Sequence, residues 1–180
     1  MKRRPAVAGQ FYPGSKAEID RMLSRLVDTD APREKVLGVM SPHAGWAYSG
    51  RGAGMLFSRV EIPGTVVALC PNHRGAGADV AVMAEGSWEM PDGEVPLDAD
   101  LATAIMARCD FMKDDQRAHA AEHSLEVLLP FIRRFRPDFR LVPVSLSRVS
   151  YGECEDLAEA IASAVEETSA DALDFMRGRF

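Results

Sequence analysis

Short apolar runs that feed directly into loops of proline, glycine and histidine constrain this chain more than any other feature. Val36-Leu37-Gly38-Val39-Met40 leads into Ser41-Pro42-His43-Ala44-Gly45. Thr65-Val66-Val67-Ala68-Leu69 leads, through Cys70, into Pro71-Asn72-His73-Arg74-Gly75. Runs this short, with no polar alternation, suit strands buried on both faces. Residues 80–84 and Leu141 to Leu146 read the same way. Helical segments separate these runs. Ile19, Met22, Leu23 and Leu26 recur at helical spacing behind Ser15-Lys16-Ala17-Glu18, which has the form of a reciprocal capping box. Residues 49–59, Asp98 to Cys109 with Asp98 as N-cap, Glu122 to Arg134 and Tyr151 to Glu167 complete the helices, and Pro130 predicts a kink in the third of these. Trp88 to Leu97, holding Pro91-Asp92-Gly93, reads as a hairpin. Strands alternating with helices predict an α/β fold in one domain over 1–180, with a mainly parallel central sheet and helices on both faces. Val36–Met40 and Thr65–Leu69 are its expected inner strands.

In open α/β sheets ligands bind beyond the carboxyl ends of the strands. His43 and His73 sit there on two equivalent loops, and imidazole is both a common metal ligand and a ready acid or base. The other two histidines fall in His119-Ala120-Ala121-Glu122-His123-Ser124-Leu125-Glu126. His123 and Glu122 are the candidates to act beside the metal, either in catalysis or by orienting the ligand histidines. The plain alternative has Glu122 and Glu126 capping a solvated helix start. The string also matches the H-x-x-E-H pattern of inverted zinc peptidases, a remote alternative through His119, Glu122 and His123. Cys70 lies three residues before His73, but as the end of a buried strand it reads as a small apolar side chain.

Bulk properties narrow the classes of partner. A net charge of -6 offers no general attraction to nucleic acid, and the cluster Arg133, Arg134, Arg136 and Arg140 reads as a solvated face near a helix end. No apolar run is long enough to cross a bilayer, and the basic start Met1-Lys2-Arg3-Arg4-Pro5 has no leader-like apolar stretch after it. Cys70, Cys109 and Cys154 are few and odd in number, which argues for a reducing, cytoplasmic setting.

Several strings taken together resemble the Memo family, whose archaeal and bacterial members are also called AmmeMemoRadiSam system protein B. They are Ala8-Gly9-Gln10-Phe11-Tyr12-Pro13, Pro42-His43-Ala44-Gly45-Trp46-Ala47-Tyr48-Ser49-Gly50, Pro71-Asn72-His73, Trp88 with Pro91 and Gly93, and Glu122-His123-Ser124-Leu125-Glu126-Val127 with Leu129-Pro130-Phe131. They follow the family's order and spacing from residue 4 to about residue 148. The resemblance implies a fold like that of the class III extradiol ring-cleaving dioxygenases (LigB-like). It places metal ligands at His43 and His73, with His123 and Glu122 close by, and names Fe(II) or Cu as the metal, with Zn a weaker candidate. It also implies redox or dioxygenase-like chemistry, and association with AMMECR-type and radical-SAM proteins. Cys70 departs from the family's usual Gly. Family members continue into a late strand and a ligand cysteine. Asp171-Ala172-Leu173 fits the approach to that strand, but Asp174 to Phe180 does not, which reads as a missing C-terminal part and predicts loose metal binding. A rival reading makes the cleft a non-catalytic binding module for a peptide, a partner's side chain or a small molecule, with Trp46, Tyr48 and Trp88 on its rim.

Overall fold

The computed structural model describes residues 1–168 and the strand course of 172–174. In chain order come β1 (Lys2–Arg3), α1 (Lys16–Leu26), α2 (Trp46–Phe57), β2 (Thr65–Pro71), β3 (Val80–Val82), β4 (Ser87–Met90), β5 (Gly93–Pro96) and α3 (Ala99–Met106). There follow β6 (Lys113–Asp114), α4 (Arg117–Ala120), α5 (Leu129–Phe135), β7 (Arg140–Leu146), α6 (Tyr151–Thr168) and β8 (Ala172–Asp174). The chain is α/β with two sheets: a five-stranded one in the order β6-β3-β7-β2-β8 and a three-stranded one in the order β1-β4-β5. In the larger sheet only β3 and β7 pair antiparallel; the other neighbours are parallel.

The side-chain alternation of β2 and β7 builds the two halves of the core. Val66, Ala68, Cys70 and Leu141 face one apolar cluster, with Ile19 and Leu23 of α1, Ala53 and Phe57 of α2 and Phe131 and Ile132 of α5. Val67, Val142 and Val144 face the other, with Leu101 and Ile105 of α3 and Leu157 and Ile161 of α6. The central strands are therefore covered on both faces, which is why they read as continuous apolar runs. Burying each of these aliphatic side chains contributes roughly 1.5–3 kcal/mol. Helices α1 and α2 pack closely because Gly54 has no side chain; a Cβ there would lie 2.1 Å from the Leu26 carbonyl oxygen.

Several local expectations are corrected. Val36–Met40 is not an inner strand. Both edges of β2 are taken, by β7 and β8, and the only ladder contact near the segment is a bridge between Glu34 and Val60. Leu37 is 79% exposed and Met40 76%. A short apolar run becomes a strand only where a partner strand lies beside it, and composition does not report the partner. Pro130 does not kink a helix. Residues 121–128 are turns and irregular backbone, α5 starts at Leu129, and Pro130 falls in its first turn, where a missing N–H costs no hydrogen bond. Ser15 caps α1 without the reciprocal box, because its hydroxyl donates to Glu18 Oε2 at 2.7 Å instead of accepting from the backbone. The Asp98 carboxylate does cap α3, accepting from Leu101 N at 3.1 Å.

The arginine cluster is not simply a solvated face. Arg133 lies 3.2 Å from Asp92, with 16% of its side chain exposed, beneath the turn that joins β4 to β5. At Gly93, with φ 142°, a Cβ would sit 2.4 Å from that guanidinium. Arg136 and Arg140 reach Asp138 and Asp98. The expectation placed on Asp171 to Phe180 falls, apart from the course of β8, outside the described residues. Among the described residues, no helix is long and apolar enough to cross a membrane.

Candidate metal centre

Three loops deliver the site. The first lies before α2. Gly45 is its N-cap, the Trp46 amide donates to the Phe11 carbonyl at 2.7 Å, and the Trp46 indole N–H donates to the Val127 carbonyl at 2.7 Å. These bonds fix His43 relative to the N-terminal segment and to the turn at 121–128. The second loop follows β2. Pro71 ends the strand, Asn72 N donates to Leu146 O at 2.7 Å, and the Asn72 side chain bonds Ala76 O at 2.7 Å, so His73 projects from a closed turn. The third is the stretch 121–124 after α4, which carries Glu122 and His123.

The rings of His43, His73 and His123 gather around one point. Their centroids are 5.4 Å apart for His43–His73, 6.2 Å for His43–His123 and 4.7 Å for His73–His123. Three imidazoles on one ion, at ~2.1 Å from nitrogen to metal, hold their ring centres about 5 Å apart. The His73–His123 and His43–His73 spacings lie near that value, and the His43–His123 spacing is longer. Among the described residues, the donor group close enough to share an ion is His73, Glu122 and His123, whose ligand atoms lie within 4.8 Å of one another; His43 stands beside this group and not in it.

Glu122 occupies a different role from its neighbours in that group. Its side chain is fully buried. Oε1 accepts from His123 N and Ser124 N, both at 2.9 Å, and lies 2.9 Å from His73 Nδ1; Oε2 accepts from His73 N at 2.7 Å. A carboxylate offers about four acceptor positions; here three partners crowd Oε1 and one meets Oε2, which keeps a position open. Burial alone would raise this carboxyl; the bonds from the His73 ring and from the Ser124 and His73 amides outweigh it and bring it to about 2. Glu122 is therefore an anion that accepts a hydrogen bond from His73 Nδ1–H, so Nε2 is the ring nitrogen left for a ligand. A carboxylate bonded to the far nitrogen of a histidine is the usual support of a metal ligand.

The other two rings are prepared as neutral donors. Burial, then the neighbouring His73, holds His43 below the ordinary imidazole range. At His123 burial comes first, and crowding by His73 and His43 adds to it against the pull of Glu122. Neutral imidazole is the form that binds metal. Cys70 does not join them. It is buried, and desolvation pushes its thiol up to about 12, so it stays protonated and apolar.

His119 points elsewhere. It is fully buried, with Nε2 3.2 Å from the Ala81 carbonyl and its ring edge-on to Trp88. Helix α4 ends at Ala120, so His119 and His123 do not share a helix face, and the zinc-peptidase arrangement is not formed. Trp46 and Trp88 are core residues at 4% and 0% exposure, not rim contacts; only Tyr48 stands in solvent. Glu126, like Glu122, is fully buried and does not solvate a helix start.

Burial also sets a pH response. His119 is held neutral down to about 4 by desolvation, against an ordinary 6.5. Between those values the unfolded chain binds a proton that the folded chain refuses, so acidification favours unfolding. Stability should fall by up to about 1.4 kcal/mol per pH unit across that window. Glu122, about 2 in the fold against 4.5, extends the decline at lower pH. Urea midpoints at pH 7 and pH 5 check this, and His119→Gln should flatten the upper part of the curve.

Reasoning from the sequence missed the supports. Arg3 and Glu126 form a buried ion pair at 2.8 Å, and the Phe11 ring lies edge-on to His123 at 5.0 Å. The available signal was Glu126 itself, a single acid inside the apolar run Leu125 to Leu129, which calls for a buried partner.

The family profile described as Memo-like protein matches residues 3–173. A MEMO1 family protein of Methanothermobacter thermautotrophicus is 40% identical over 184 residues, spanning 96% of this chain and 66% of that protein. One from Methanopyrus kandleri is 40% identical over 181 residues (93% and 64%), and one from Aquifex aeolicus 38% over 171 residues (93% and 63%). This chain thus spans a little under two thirds of the length of these relatives. On the profile match and these identities, the chain belongs to the Memo-like family.

Proposed function

We propose that this protein holds a divalent transition metal, Fe(II) or Cu, between the loop before α2, the loop after β2 and the stretch 121–124, with His43, His73 and His123 as imidazole donors. The observation that carries this reading is the gathering of three imidazole rings within 6.2 Å of one another, with the buried Glu122 carboxylate 2.9 Å from His73 Nδ1. Imidazole suits iron and copper as well as zinc. Three such donors hold an ion more firmly than His43 and His73 alone. Open positions would remain for a small molecule. When bound, the metal supplies Lewis acidity and one-electron redox chemistry. The class III extradiol dioxygenase-like fold that the family implies is consistent with redox or dioxygenase-like use of the site, and both belong to this proposal. His43, His73 and His123 bind, and Glu122 orients His73 through its contact with Nδ1.

The test is metal analysis of protein purified without chelator, followed by calorimetric titration with Fe(II), Cu(II) and Zn(II). The expected result is one equivalent bound. His43→Ala or His73→Ala should weaken retention by orders of magnitude, while His119→Ala should not. Equal metal binding by His73→Ala and the unaltered protein would refute the assignment.

A further inference from the structure

The N-terminal segment makes a set of contacts that its own folding does not require. Arg3 is 6% exposed, and its guanidinium lies 4.0 Å over the Trp88 ring. Its Nε donates to the His119 carbonyl at 2.7 Å. Its Nη2 donates to the Glu122 carbonyl at 2.6 Å and to Glu126 Oε2 at 2.8 Å. Glu126 answers by accepting from Ala6 N at 2.8 Å, Val7 N at 3.0 Å and the Tyr12 hydroxyl at 3.0 Å. One cation thus spans both ends of the turn that carries Glu122 and His123, and one anion ties that turn back to residues 6–12. Phe11 completes the strap. Its ring meets His123, and its carbonyl accepts from the first amide of α2, just beyond His43.

We infer that residues 3–12 are a working part of the metal centre, with Arg3 and Phe11 as positioning residues that set Glu122 and His123 at their places around the ion. This rests on the metal reading above for its consequence, though not for its geometry. Arg3 acts through Glu122. Holding that residue's carbonyl fixes its backbone, and through it the carboxylate that selects the Nδ1–H form of His73. Phe11 acts on His123 alone, by limiting the ring's rotation. The guanidinium fork matters as much as the charge. Four acceptors lie around Arg3, the carbonyls of Arg4, His119 and Glu122 and the Glu126 carboxylate, and an ammonium at the end of a lysine stem is a point charge that does not reproduce that planar fork.

The inference separates from general stability in the following comparison. Long-range proton–nitrogen correlation spectra of metal-free protein report the tautomer of His73, and cobalt(II) titration followed by visible absorption reports affinity and coordination. The variants are Arg3→Lys, Phe11→Ala and, as a control for destabilisation, Leu157→Ala, which empties a core position in the other apolar cluster. Arg3→Lys should turn the single His73 tautomer into a mixture and lower cobalt affinity about 10- to 100-fold, the usual range for partners behind a ligand. Phe11→Ala, at a residue already 36% exposed, should keep the His73 tautomer yet lower affinity and alter the cobalt spectrum. Leu157→Ala should change neither signal. Wild-type tautomer and affinity in both Arg3→Lys and Phe11→Ala would overturn the inference, as would the same losses in Leu157→Ala. If the unaltered protein binds no cobalt, the metal reading fails. The His73 tautomer in Arg3→Lys then still decides whether the strap positions the site.

Discussion

Replacing Glu122 with alanine should produce the largest combined loss of any single change at the site. The substitution leaves the amides of His73, His123 and Ser124 without their acceptor, and it frees the His73 ring. Hydrogen bonds to a charged acceptor are each worth roughly 1.5–3 kcal/mol, and buried donors without partners cost about 1–3 kcal/mol each. Turns at 121–128 can relax and admit water, so we expect a net loss of about 3–5 kcal/mol, read as a shift in the urea midpoint. Metal retention should fall together with stability. Glu122→Gln is the sharper probe. It keeps the shape, but whichever way the amide is turned its NH2 group faces at least one donor that the carboxylate had accepted from. A nearly wild-type midpoint for Glu122→Ala would mean that the carboxylate is not the centre of this network.

The second large effect is expected at Arg3. Arg3→Met leaves the Glu126 carboxylate buried with amide and hydroxyl partners but no countercharge. Breaking a buried pair from one side costs about 3–5 kcal/mol, because the remaining ion stays desolvated. Removing both charges with Arg3→Met and Glu126→Leu should recover part of the loss. The carbonyls of His119 and Glu122 and the amides of Ala6 and Val7 would still lack partners, so the recovery should be incomplete. Denaturant midpoints of the two single variants and the double variant form the cycle. Additive losses would show that Arg3 and Glu126 do not act as a pair.

The parts of this fold that the sequence revealed are those governed by local pattern. Thr65 to Leu69 and Leu141 to Leu146 read as buried strands because helices cover both their faces, and Asp98 read as a cap because capping is decided within one turn. What the sequence hid depends on distant partners. Val36–Met40 has the composition of a strand but no neighbouring strand, so Leu37 and Met40 stand in solvent. The stretch from Glu122 to Leu128 has helical spacing, yet Glu122 and Glu126 bend it into turns by accepting bonds from residues up to 120 positions away. At the candidate site, His43 and His73 were singled out from their places after apolar runs, and His123 and Glu122 from the string that runs from His119 to Glu126. Arg3 was hidden, since a basic residue beside the first methionine resembles any solvated terminus until the chain closes over it. Trp46 and Trp88 misled in the opposite sense. Aromatic rings suit binding rims, but here they fill the core around the strap.

The central claim is that three imidazoles and no protein carboxylate face the ion. Its most direct test is X-ray absorption on the protein loaded with one equivalent of Cu(II) or Fe(II), where outer-shell scattering counts the histidine rings. The account predicts three imidazole ligands in the unaltered protein, two in His123→Ala, and an unchanged first coordination sphere in Glu122→Gln apart from greater disorder. A spectrum with one ring or none, or one from which an oxygen ligand disappears in Glu122→Gln, would contradict it.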